Sequence, residues 1–66
     1  MKLYEYAVVL DERREKGKIA EPAEIVVEPT AVLARDDAQA QLLAARAIPE
    51  DYIDRIDRLT VVVRPF

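Results

Sequence analysis

Three short runs, Val8-Val9-Leu10, Ile25-Val26-Val27 and Val61-Val62-Val63, put apolar residues on consecutive positions of segments rich in β-branched side chains. Successive side chains of a strand point to opposite faces, so a sheet built from these runs is apolar on both sides. Continuous apolar strands are the pattern of sheets covered on both faces. The chain carries one strongly signalled helix, and a single helix covers one face of a three-stranded sheet. The other face therefore calls for another copy of the chain or another protein.

The helix lies in AVLARDDAQAQLLAARAIPE, residues 31–50. Asp36 precedes the apolar run and Gln39 follows three residues later, a carboxylate variant of the capping box. Asp36 and Asp37 suit the positive end of the helix dipole, and Arg46 suits the negative end. From Ala38 to Ala47 most residues are strong helix formers, and Pro49 ends the segment by disfavouring helical geometry at Ile48. Ala40, Leu43, Ala44 and Ala47 share one face; Ala38, Leu42 and Ala45 extend the apolar surface around the side.

The remaining elements follow from periodicity and punctuation. Lys2 to Leu10 alternates as a strand, with Tyr4, Tyr6, Val8 and Leu10 on one face and Leu3, Glu5, Ala7 and Val9 on the other. Asp11 to Lys18 is a charged, solvated connection in which Gly17, the chain's only glycine, supplies a left-handed residue for the return. Ala23 to Glu28 is a second strand, with Ile25 and Val27 on one face and Glu24, Val26 and Glu28 on the other. Pro22 and Pro29 mark its limits or an edge. Thr30 to Ala34 is extended, either a bent continuation or a separate strand. Pro49 starts a second helix in which Tyr52, Ile53, Ile56 and Leu59 form an apolar stripe, and Asp51–Arg55 and Asp54–Arg58 form i, i+4 pairs. Leu59 to Arg64 is the last strand.

The fold class is α+β: a small β-β-α-β domain with an N-terminal antiparallel hairpin, one main helix over about 36–48, a short helical segment over about 50–57, and a C-terminal strand in the same sheet. A chain of 66 residues makes a single domain over 1–66, of a size at which only about 60% of the unfolded surface becomes buried. Without cysteine it has neither a disulfide nor a thiolate site to support it. Such a domain is a candidate for stabilisation by association.

The same inventory argues against most chemistries. There is no Cys, Ser or His, and the only hydroxyls are Thr30, Thr60 and three tyrosines, so nucleophilic catalysis has little to work with and no general base of the usual kind stands ready. No catalytic residue is assigned, and no enzyme is expected. Glu50, Asp51 and Asp54 are interleaved with Arg55 and Arg58, a poor arrangement for a hard cation, so no metal is expected. One glycine cannot build a phosphate loop, and no other cofactor site is apparent. A net charge of −3 disfavours nucleic acid as the main partner, and the Tyr4-Glu5-Tyr6 segment reads as packing rather than as a base-stacking platform. No apolar stretch approaches the roughly 18 to 20 residues of a membrane span, and the N-terminal segment lacks the pattern of a signal peptide.

The run at residues 31–50, with the ending LTVVVRPF and the initial YEYAVVL, resembles short uncharacterised proteins encoded by tailed bacteriophages and related prophage-like segments. The resemblance implies a virus-encoded accessory present in many copies in the virion, located in the particle or in the host cytoplasm. The expected function is that of a non-enzymatic structural or assembly protein, packing through an apolar sheet face or edge. Its partners would be itself or other subunits of an assembly, as a homo-oligomer or hetero-assembly. The alternative is a virus-encoded acidic module that occupies a basic site on a host protein. The residues expected at the interface are Val9, Val26, Val62 and Phe66, the last placed beyond a proline where it can anchor in a neighbour's pocket.

Overall fold

The computed structural model describes every residue, Met1–Phe66. The domain is α+β. Its main sheet has three antiparallel strands in the order β4 (Glu24–Ala34), β1 (Lys2–Leu10), β5 (Leu59–Pro65), with β1 central. Helix α1 (Asp37–Arg46) crosses all three strands on one side of the sheet. Its entry is fixed as the capping pattern requires. Asp36 accepts a bond from the Gln39 amide at 2.8 Å, and the Gln39 side-chain oxygen accepts from the Arg35 amide at 2.6 Å.

β1 alternates as its sequence dictates. Tyr4, Val8 and Leu10 are buried on the helix side of the sheet, where Tyr4 and Ala34 pack with Ala40 of the helix and Leu43 packs against them; Ala44 is also fully buried. Alanine at i and i+4 keeps that helix face shallow, so the helix sits close to Tyr4 and Ala34. By contrast, Ala38, Leu42 and Ala45 point to solvent, so the helix has the sheet as its one neighbour.

β4 departs from simple alternation. Thr30 to Ala34 continues the second strand without a break, and Pro29 lies inside it. The ladder with β1 slips by one residue between the Tyr6–Thr30 and Val8–Val27 pairs, and again between Val8–Val27 and Val9–Ile25. Each slip is a bulge that adds one residue to β4. Pro29 is tolerated because β4 is an edge strand and the proline falls in the first bulge.

The charged connection after β1 is also more ordered than a solvated loop. Arg13–Glu15 (β2) and Lys18–Glu21 (β3) pair as a separate two-stranded arm. Its tip is Lys16-Gly17 with φ of 53° and 77°, the left-handed pair that suits a tight hairpin. Pro22 lies in the link between β3 and β4.

Glu50–Arg58 is helical, but as two 3-10 turns meeting at a kink at Arg55 (φ −118°, ψ 24°), not as an α-helix. The sequence EDYIDRIDR explains this, since Asp competes for backbone donors and Ile is a weak helix former, in contrast to the Ala, Gln and Leu of α1. With three residues per turn, the inward row is Tyr52, Arg55 and Arg58. Ile53 and Ile56, expected in an apolar stripe, are exposed instead. The i, i+4 ion pairs are lost for the same reason. Arg55 bonds the Asp51 carbonyl and lies 4.7 Å over the Tyr52 ring, while Arg58 reaches across to Glu21 in the arm.

Candidate interaction surface

The face of the sheet opposite α1 carries no layer of the chain. Its make-up follows from register, because residues directly opposite on neighbouring strands point to the same side. At one end Leu33, Leu3 and Phe66 form a row across the sheet: Leu3 pairs with Leu33, and the Phe66 amide bonds the Leu3 carbonyl at 3.0 Å, extending the β1–β5 register. The next row is Ala31, Glu5 and Arg64, in which Arg64 Nε donates to Glu5 Oε1 at 2.8 Å. Ala7 and Val62 follow beside the first bulge, and then Ile25, Val9 and Thr60. The charge on this face is thus a self-neutralised pair between apolar rows.

Leu33 is 58% exposed, Ile25 62%, Val62 48% and Phe66 72%. Five of the ten exposed large apolar side chains, Leu3, Ile25, Leu33, Val62 and Phe66, gather on this one surface, whereas Met1, Ile19, Leu42, Ile53 and Ile56 lie elsewhere. Total accessible area tells the same story. The chain exposes 4871 Å², about 600 Å² more than the roughly 4,200 Å² at which a folded monomer of this mass is expected. The domain measures 46 × 21 × 16 Å with a radius of gyration of 13.3 Å, against about 11 Å for a compact domain of its length.

Of the four residues expected at an interface, Val9, Val62 and Phe66 lie on this face. Val26 does not join their row. It is the extra residue of the second bulge, half-buried and without a ladder partner, and Ile25 takes the place opposite Val9. The alternation counted through Ile25–Val27 fails for that reason: Ile25 pairs on the open face and Val27 on the helix face. Leu3, Ile25 and Leu33 are the additional members. Leu3 shares parity with Val9 within β1, whereas Ile25 and Leu33 can be placed only once the bulges are known.

A second cluster joins the 3-10 helix to the link between β3 and β4. Arg58 Nη2 donates to Glu21 Oε2 at 3.0 Å, Arg13 lies 3.5 Å from the same carboxylate, and the Tyr52 hydroxyl donates to Glu24 at 3.4 Å. The Arg58 carbonyl accepts from the Asp11 amide at 2.8 Å. The hydrogen bond from Arg58 is the main cause that holds the Glu21 carboxyl below its ordinary value; desolvation opposes it, and the positive charges of Arg58, Arg13 and Arg55 add to the lowering. The cluster does not gather three converging carboxylates, and its bonds join the arm to the 3-10 helix.

That geometry carries a pH dependence. A carboxyl whose folded pKa is lowered adds stability in full above its unfolded value, and the contribution disappears as pH falls through the folded value. The acid limb of the stability profile should therefore begin at or just below the ordinary Glu value of 4.5. Arg58→Ala should flatten that limb, measured by urea unfolding across acidic pH. An unchanged limb would show that the pair does not hold in solution.

No Asp/Glu group able to cage a cation gathers elsewhere, and no helix is long and apolar enough to cross a membrane. The one shallow hollow on the surface, lined by Glu5, Arg64, Pro65 and Phe66, is the ion-pair end of the open sheet face. No protein-family model, no curated protein and no solved structure matches the chain.

Proposed function

We propose that this chain is a non-enzymatic assembly protein, a multi-copy component of a bacteriophage particle, which packs into its complex through the open face of the sheet. The observation that carries the reading is the set of apolar rows, Leu33-Leu3-Phe66 and Ile25-Val9 with Val62, left uncovered by a chain that has already spent its one long helix on the opposite side. The excess area of about 600 Å² approaches the roughly 800 Å² per partner buried in a standard interface. The side-chain inventory, without Cys, Ser or His, supports an architectural rather than a chemical role.

Absolute mass by light scattering over a wide concentration range is the test. A discrete oligomer or growing assembly is expected, and Leu33→Glu should lower its mass without loss of fold, because a glutamate at that exposed position costs the monomer little but is buried on face-to-face assembly. A monomer at every concentration, with the mass of Leu33→Glu identical to it, would overturn self-assembly. The exposed acids Glu50, Asp51 and Asp54 would then become the surface to reverse in search of a basic partner.

A further inference from the structure

The two edges of the main sheet are built differently. β4 is guarded: it is bulged twice, carries Pro29, and presents Glu24 and Glu28. Those are the devices by which natural edge strands resist pairing with another chain. Between Leu59 and Arg64 β5 has no bulge and no proline, and its one charge, Arg64, is paired with Glu5 of its own sheet. It runs without a register shift, it is short and apolar, and its only proline, Pro65, stands at the end.

The hydrogen bonds at the two ends of β5 settle which of its backbone groups are free. The Phe66 amide bonds the Leu3 carbonyl, and the Asp11 amide bonds the Arg58 carbonyl. With the uninterrupted register between them, every second residue of β5 (Arg58, Thr60, Val62, Arg64, Phe66) turns its backbone toward β1. Leu59, Val61 and Val63 turn theirs outward. The Leu59 amide is already engaged by the Ile56 carbonyl, and Pro65 has no amide to offer. The free donors of this edge are therefore two, Val61 and Val63, with the carbonyls of the same residues beside them.

We infer that β5 pairs antiparallel with β5 of a second copy about a two-fold axis at Val62, joining two three-stranded sheets into one of six strands. This register uses every free donor: each Val61 amide meets the Val63 carbonyl of the other copy, and each Val63 amide meets its Val61 carbonyl, four bonds in all. The side chains agree. Val61 lies opposite Val63 on the helix side, and Val62 meets its own equivalent on the open side in the closer, non-bonded type of pair. Thr60 faces Arg64. Sliding the axis to Val61 sets Arg64 against Arg58, like charges in opposition, and sliding it to Val63 sets Val62 against Arg64; both are worse.

The occupant is a second copy because the edge is complementary to itself. The main sheet has only this one unguarded edge, so pairing through it closes on a dimer and does not propagate into a fibre. Pairing at β5 leaves the open face uncovered and makes it continuous across two copies, so this inference deepens the assembly reading and rests on it.

The test is backbone amide exchange of the full chain followed residue by residue, dilute and concentrated. Val62 and Thr60, bonded to β1, should be protected at both. Val61 and Val63 should exchange freely when dilute and slow by roughly tenfold or more when concentrated. Val63→Pro removes one outward donor and no bond to β1, and should return Val61 to free exchange and lower the mass of the assembly. Leu33→Glu, away from this edge, should leave the Val61 and Val63 protection intact. An oligomer whose Val61 and Val63 amides stay unprotected would overturn edge pairing while leaving face packing in place. A monomer with both amides free at all concentrations would overturn it as well.

Discussion

Val8→Ala is expected to lower the unfolding free energy by about 2–3 kcal/mol, combining the lost burial of the valine with the cavity left behind. Val8 is completely buried, and it is the only larger side chain that is. It lies on the central strand between Val27 and Val61, on neighbours that are themselves held by the ladder, so the site has little freedom to collapse. A domain of this length holds on the order of 3–10 kcal/mol in total, which makes the loss a large fraction. Ile25→Ala is the control. It removes a bigger side chain from the next pair of the same two strands, but on the open face, and should shift stability by less than about 0.5 kcal/mol in the monomer. Urea unfolding of both variants, dilute enough to exclude association, decides the matter. Equal losses would mean that the two faces of the sheet are equally covered, and the assembly reading would fall with that result.

The same asymmetry explains how much of the domain was legible in its sequence. Features written in local chemistry were readable: the Asp36–Gln39 cap, the helix former content of α1, the alternation of β1, and Gly17 at a left-handed turn. So was the two-sided apolar character of the sheet, since Val8-Val9 and Val61-Val62 each put one residue on either face. What stayed hidden depends on pairings between distant segments. Counting by twos through Ile25-Val26-Val27 assumes an unbroken ladder, and the bulge at Val26 reverses the faces beyond it. Pro29 inside an extended run was the available sign of such a break. The helical segment after Pro49 was placed correctly in the chain, but its period was three rather than 3.6. That change turned Tyr52, Arg55 and Arg58 inward and left Ile53 and Ile56 outside. Of the candidate interface, Val9, Val62 and Phe66 were readable from parity and position, whereas Ile25 and Leu33 needed the register.

Ala40→Leu is expected to destabilise the domain by about 2–3 kcal/mol, at the upper end of overpacking costs. Ala40 has no exposed surface and belongs to the cluster formed with Tyr4 and Ala34, where the helix and the sheet meet most closely. A leucine adds three carbons where a methyl group already touches its neighbours. The helix must then lift off the sheet, which also loosens Ala44 one turn on. Ala45→Leu, one residue past Ala44 and exposed, adds the same carbons on the solvent side and should stay within about 0.5 kcal/mol of the parent. The pair of variants measures how tightly the covered face is closed. If Ala40→Leu is tolerated like Ala45→Leu, the helix is not seated on the sheet by its small residues and can be displaced. A partner could then enter on the helix side, and the proposal that assembly uses the opposite, open face would lose its support.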